Sequence, residues 1–185
     1  MKKIKVNEIS IGNDQPLVFI AGLNVLEDEK NIEEVISKCI SSTKKLGIPY
    51  IFKASYDKAN RSSVDSFRGP GVERGLQILS DLKQDYDVPV ISDIHTPHEA
   101  ELAAEVLDII QIPAFLSRQT DLIEAACSTS IPINIKKGQF LAPSDMSNII
   151  QKCKHFNNED IMICERGTSF GYHNLVVDML GMVEL

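Results

Sequence analysis

Polar and cationic side chains stand at the ends of short apolar runs along this chain. Leu17–Gly22 leads to Asn24, Tyr50–Ala54 to Lys53 and Ser55, and Val90–Ile94 to Asp93 and His95. Ile109–Ile112 ends at Gln111, Ile133–Ile135 at Lys136 and Lys137, and Ile161–Cys164 at Glu165 and Arg166. Gathered in one place, Lys53, Lys136 and Arg166 repel one another unless an anion neutralises them. A multiply charged ligand, such as one with phosphate and carboxylate, is the chemistry they suit. The segment from Ser55 to Gly69 is long, polar and free of periodicity, and such loops in compact domains usually carry function. It supplies Lys58, Asn60, Arg61, Ser62 and Arg68 as donors for phosphate and hydroxyl groups.

Other motifs carry less. Ser55-Tyr56-Asp57-Lys58 has the Ser-x-x-Lys spacing but lacks the helix start and partner motifs that this chemistry needs. Gly69-Pro70-Gly71 reads as a turn, and neither a Gly-x-Gly-x-x-Gly stretch nor a phosphate loop is present. Asp93, His95 and His98 are too few to hold a metal without further ligands, so no metal site is expected.

The elements that must position these residues follow from the pattern between them. The apolar runs are near-continuous, as for parallel strands covered on both faces. Helical stripes separate them: Ile32, Val35, Ile36, Cys39, Thr43 and Leu46, stopped by Gly47; Val72, Leu76, Leu79 and Leu82; and Met146, Ile149, Ile150 and Cys153. Thr96-Pro97-His98-Glu99 has the form of a capping box with Pro at the first helical position. Leu175, Val176, Met179, Leu180 and Val183 predict a last helix. Ile4/Val6 and Ile9/Ile11, flanking Asn7-Glu8, predict an N-terminal hairpin over residues 1–12. Repeated strand–helix units imply a parallel α/β sheet with right-handed crossovers. A polar residue at every strand end favours a TIM-type (β/α) barrel, whose strand ends meet at one mouth, over an open sheet. About six of its eight units are present, so residues 1–185 read as a single, partial barrel domain.

Composition narrows the function classes. Nineteen Lys and Arg against 26 Asp and Glu leave a net charge of −7, which argues against a nucleic-acid surface while permitting a local cationic pocket. Apolar residues make up 43% of the 185, enough for a core. No run approaches the roughly 20 apolar residues of a membrane helix, and the start, Met1-Lys2-Lys3-Ile4-Lys5, does not read as a secretory signal. The four cysteines, Cys39, Cys127, Cys153 and Cys164, form no Cys-x-x-Cys pair and are expected as reduced core residues of a cytoplasmic protein.

Longer stretches are distinctive. They are Gly22-Leu23-Asn24-Val25-Leu26-Glu27, Phe52-Lys53-Ala54-Ser55-Tyr56-Asp57-Lys58-Ala59-Asn60-Arg61-Ser62-Ser63 and Phe67-Arg68-Gly69-Pro70-Gly71. With them go Ile112-Pro113-Ala114-Phe115-Leu116, Arg118-Gln119-Thr120-Asp121, Asn134-Ile135-Lys136-Lys137-Gly138-Gln139-Phe140 and Glu165-Arg166-Gly167-Thr168-Ser169-Phe170-Gly171-Tyr172. Together they resemble the 3-deoxy-D-manno-octulosonate 8-phosphate synthases of lipopolysaccharide precursor synthesis. The resemblance implies an eight-stranded barrel assembled as a homotetramer. It implies condensation of phosphoenolpyruvate with D-arabinose 5-phosphate and water, with release of phosphate and no cofactor. Carried over by motif, Arg118, Lys136 and Arg166 would hold the phosphate of phosphoenolpyruvate, with Gln111 and Ala114 beside it. Lys53, Ser55 and Lys58 would face its carboxylate and the reacting centre. Asn60, Arg61 and Ser62 would bind the sugar phosphate, and Asp93 would organise the mouth. The family's metal-dependent class has a Cys ligand where this chain has Asn24, so the metal-independent class is expected. The last two strand–helix units, one with a site histidine, are expected to be missing at the C-terminus. The alternatives are a related heptulosonate phosphate synthase using erythrose 4-phosphate, a catalytically dead truncated barrel, and an unrelated open-sheet nucleotide-binding protein.

Overall fold

Apolar β-branched runs bounded by turn residues become strands, and the 3.6-residue stripes between them become helices. A computed structural model describes residues 2–185. The elements are β1 Ile4–Val6, β2 Ile9–Ile11, β3 Phe19–Gly22, α1 Glu29–Leu46, β4 Tyr50–Lys53, α2 Val72–Tyr86, β5 Val90–Asp93 and α3 Pro97–Ala104. They continue with β6 Ile109–Ile112, α4 Thr120–Ser128, β7 Ile133–Lys136, α5 Met146–His155, β8 Ile161–Cys164, β9 Thr168–Ser169, β10 Leu175–Val176 and α6 Gly181–Glu184. The parallel sheet reads β3-β4-β5-β6-β7-β8, in chain order. Strand followed by helix, repeated with parallel pairing in that order, is the building plan of a (β/α) barrel, here in part. The inner strands β5 and β6 are wholly buried. The outer strands β3 and β8 are not covered as the sequence leads one to expect, because each has a neighbour on one side only. Phe19 is 43% exposed, and all of β8 is half-buried.

The chain packs as two compact units. The first runs to Asp93 and takes in Ala103–Ile109; the second comprises Ile94–Leu102 and Ile110–Leu185. In the first, β1 and β2 form an antiparallel hairpin that buries Ile4 and Val6 and exposes Lys5, the period of two expected of a strand. Helix α1 starts where the Asp28 carboxylate accepts the Asn31 N–H at 2.9 Å, and ends at Gly47 in the left-handed region (φ 64°). Helix α2 buries Gly75, Leu76, Leu79 and Leu82. A Cβ at Gly75 would run into the side chain of buried Tyr56, so the helix lies this close only with glycine there. Asp108 ties the start of β5, accepting from Val90 N–H and from Lys83 Nζ, each at 2.9 Å.

In the second unit, α3 is capped differently from the expected reciprocal box. The Glu99 carboxylate accepts from both Thr96 Oγ1 and the His95 N–H, and the Glu99 N–H donates to the Thr96 carbonyl oxygen at 3.1 Å. Helix α4, unmarked in the sequence reading, buries Leu122, Ile123, Ala126 and Cys127; it is too short to show more than two turns of stripe. The expected last helix from Leu175 does not form. Leu175 pairs with Ser169 and Val176 with Thr168 as an antiparallel ribbon, and only Gly181–Glu184 is helical. Left-handed Gly171 and His173 turn the chain back, and β-branched Val176 and Val177 favour extension over helix. All four cysteines are free thiols; Cys127 and Cys153 are buried, whereas Cys39 and Cys164 are only half-buried rather than core.

Candidate functional site

Strand β4 ends in the first unit at Lys53, and the chain leaves it through Ala54-Ser55-Tyr56. Ser55 is fully buried, and its hydroxyl is fully used. It accepts from Lys53 Nζ at 2.8 Å and from Lys58 Nζ at 2.9 Å, and donates to Asp93 Oδ2 at 3.1 Å. One donor and two acceptors are all that a serine hydroxyl offers. Lys58 Nζ also lies 3.4 Å from Asp93 Oδ2, with the side chains 12% and 4% exposed. Two ammonium groups and one carboxylate leave an excess of one positive charge in a place of low dielectric, where it attracts an anion strongly.

The surrounding backbone is laced to this cluster. Leu23 N–H donates to Lys53 O and Leu26 N–H to Ser55 O, both at 2.9 Å, so the bend carrying exposed Asn24 is held on the end of β4. Gly22 must be glycine, since a Cβ there would strike the Lys53 carbonyl. The long polar loop is closed at its base by Lys58 N–H on Arg68 O at 2.7 Å and by a two-pronged Arg68–Asp57 ion pair. The hydrogen bond from Arg68 to Asp57 raises the guanidinium's pKa above its ordinary value. Asn60, Arg61 and Ser62 stand exposed beyond that closure.

The second unit holds the remaining expected residues. Buried Gln111 and Asn134 face each other across β6 and β7, with Asn134 Nδ2 donating to Gln111 Oε1 at 2.9 Å. Ala114 is buried in the 3-10 turn Ala114–Leu116, and exposed Arg118 follows it. Lys152 Nζ holds that stretch, donating to Arg118 O at 3.0 Å and Thr120 Oγ1 at 2.8 Å. A cleft of 230 Å³ is lined by Arg118, Leu141, Asp145, Asn148, Ile149 and Lys152. Lys136 pairs in register with Cys164. Burial raises the pKa of the Cys164 thiol above its ordinary value, against the opposing charges of Lys136 and Arg166 and with that of Glu165.

Thus Lys53, Ser55, Lys58 and Asp93 form one hydrogen-bonded cluster, joined along the backbone by Asn24. Gln111 joins Asn134, and Lys136 and Arg166 flank the end of β8. Asn60, Arg61, Ser62 and Arg118 are placed at the surface without joining either cluster. Sequence reasoning passed over Asn134, the Asp57–Arg68 closure, Lys152, and the pairing of Lys137 with Glu165. For Asn134 and Lys137 a signal existed, since the alternation of β7 sets Asn134 and Lys136 on one face and Ile133, Ile135 and Lys137 on the other.

A model of the DAHP synthetase I family matches residues 1–185. The chain belongs to the DAHP synthetase I family. Among relatives in this family, a protein named 2-dehydro-3-deoxyphosphooctonate aldolase from Marinobacter nauticus is 61% identical over 178 residues, covering 96% of this chain and 63% of that protein. Proteins of the same name from Hahella chejuensis and Pseudomonas savastanoi pv. phaseolicola are each 56% identical over 180 residues, covering 97% of this chain and 64% of theirs. The chain therefore spans a little under two thirds of the length of these relatives. Among the described residues no helix is long and apolar enough to cross a membrane.

Proposed function

We propose that this chain carries the anion-binding and reacting residues of a 2-dehydro-3-deoxyphosphooctonate aldolase, acting in the synthetic direction on phosphoenolpyruvate and D-arabinose 5-phosphate. The observation that carries the reading is the buried Ser55 hydroxyl with Lys53, Lys58 and Asp93 around it. The names of the relatives support it. Arg118, Lys136 and Arg166 take the phosphate of phosphoenolpyruvate, beside Gln111 and Ala114. Lys53, Ser55 and Lys58 take its carboxylate and the reacting atoms. Asn60, Arg61 and Ser62 take the sugar phosphate, with Arg61 on its phosphate group, and Asp93 holds the lysines in place.

The chemistry follows from charge. Two anions repel, so positioning them beside fixed cations supplies much of the acceleration. The enol C3 attacks the sugar aldehyde, and Lys58 gives a proton to the developing alkoxide. Positive charge at C2 is captured by water, and the resulting hemiketal phosphate expels inorganic phosphate by C–O cleavage. Asn24 presents an amide, a poor ligand for a divalent transition metal, and the reaction is assigned to the metal-independent class. A cytoplasmic homotetramer serving lipopolysaccharide precursor synthesis fits this reading.

Release of inorganic phosphate from phosphoenolpyruvate, compared with arabinose 5-phosphate and with erythrose 4-phosphate, tests it. Faster release with arabinose 5-phosphate is expected. Preference for erythrose 4-phosphate would assign the chain to the heptulosonate branch. No release with either, from a folded chain, would leave a catalytically dead binding domain.

A further inference from the structure

Lys137 follows Lys136 directly but points the other way. Lys136 shares a face with Asn134; Lys137 shares the apolar face of Ile133 and Ile135, and its side chain is wholly buried. A charge removed from water costs heavily unless several oxygens replace the lost hydration. They do so here. Lys137 Nζ lies 3.2 Å from Gly167 O, 3.1 Å from Thr168 Oγ1, 3.3 Å from Leu141 O and 3.5 Å from Gly138 O. The Glu165 carboxylate lies 3.6 Å away and itself accepts the N–H groups of Arg166, at 2.8 Å, and of Gly167. Backbone bonds extend the same seam, from Lys137 N–H to Cys164 O at 2.9 Å and from Ser169 N–H to Gln139 O at 3.0 Å. The turn after β8, with Gly167 left-handed at φ 87°, is thereby wrapped around one carboxylate and pinned by one ammonium. Arg166 sits in the middle of that turn with its side chain exposed.

We propose that Lys137 is a positioning residue: its buried ammonium fixes the Glu165–Ser169 turn and so holds the Arg166 guanidinium where the phosphate of phosphoenolpyruvate binds. The assignment rests on the anion-binding reading above. Three N–H donors are spent on four oxygens and a carboxylate, so Lys137 has none to offer a ligand. An apolar side chain would fill this space at lower cost, which makes the ammonium's hold on the turn the reason for a lysine.

The test uses two readouts on the full chain. Amide hydrogen exchange follows Gly167 and Ser169, and calorimetry follows binding of phosphoenolpyruvate and of arabinose 5-phosphate. Lys137→Met is expected to speed exchange at both amides by at least about tenfold, with α2 unchanged. It should weaken phosphoenolpyruvate about tenfold and leave the sugar phosphate unaffected. A general loss of structure would instead weaken both ligands and expose α2. If Lys137→Met does not fold, Thr168→Val removes a single acceptor and should give the same pattern at smaller amplitude. Unchanged exchange at Gly167 and Ser169 in both variants overturns the proposal, as does unchanged phosphoenolpyruvate affinity with the turn released. A folded wild-type chain that binds no phosphoenolpyruvate overturns the anion reading and with it the Arg166 link; exchange then judges only the hold of Lys137 on the turn.

Discussion

Lys58 in the first unit and Lys137 in the second are both shielded lysines beside a carboxylate, yet the roles proposed for them differ. Lys58 donates to a side-chain hydroxyl and a carboxylate and remains 12% exposed, so its third N–H can meet a ligand. Lys137 is 0% exposed and spends its donors mainly on backbone oxygens. An ammonium among side chains, with an opening to solvent, suits proton transfer to a substrate. An ammonium closed in by carbonyls can only hold the chain in shape. The number of donors left over, rather than burial or charge, separates the two roles.

That contrast can be broken in several places. The largest effect on stability is expected from Asp93→Ala, which leaves two ammonium groups facing Ser55 without their carboxylate. Losing one partner of a buried pair should cost about 3 kcal/mol, read from urea unfolding. A loss below about 1 kcal/mol would mean that water reaches the cluster freely and that its charge is not focused. Gly75→Ala comes next. Its methyl group collides with Tyr56, pushing α2 away from the segment that bears Ser55, at a cost of about 2 kcal/mol. Phosphoenolpyruvate binding should weaken along with stability in that variant, whereas in Thr168→Val binding should weaken alone.

Asp57→Ala opens the base of the polar loop by releasing Arg68. The pair is solvent-exposed, so the thermal midpoint should stay put while the KM for the sugar phosphate rises about twofold. An unchanged KM would detach the loop closure from sugar binding. The smallest expected effect is that of exhaustive chelation. With Asn24 in place of a thiolate, phosphate release should not fall, and activity restored only by an added divalent metal would refute the metal-independent assignment.

Much of this was legible in the sequence, and the gaps have physical causes. Runs such as Val90–Ile94 announce buried parallel strands because both faces are covered, and Gly47 announces a helix end because only glycine enters the left-handed region freely. Lys53, Ser55 and Asp93 were readable as strand-end residues; that a single hydroxyl joins them to Lys58 depends on the loop's path, which spacing does not encode. Lys136 and Lys137 look alike in a string of letters, and only the alternation of β7 separates them. The stripe from Leu175 to Val183 imitates a helix because apolar residues three and four apart also arise in an exposed ribbon and turn. Leu175 and Val176 are 51% and 45% exposed there, so burial, the force that would have made that stripe a helix, is absent.

The most direct measurement is phosphate release by wild type and Lys58→Ala side by side, with phosphoenolpyruvate binding followed by calorimetry on the same samples. The expected result is turnover lower by at least about a hundredfold in Lys58→Ala, with binding retained, as for loss of a general acid. Near-normal turnover in Lys58→Ala would contradict the account, because the Ser55-centred cluster would then not be the reacting centre.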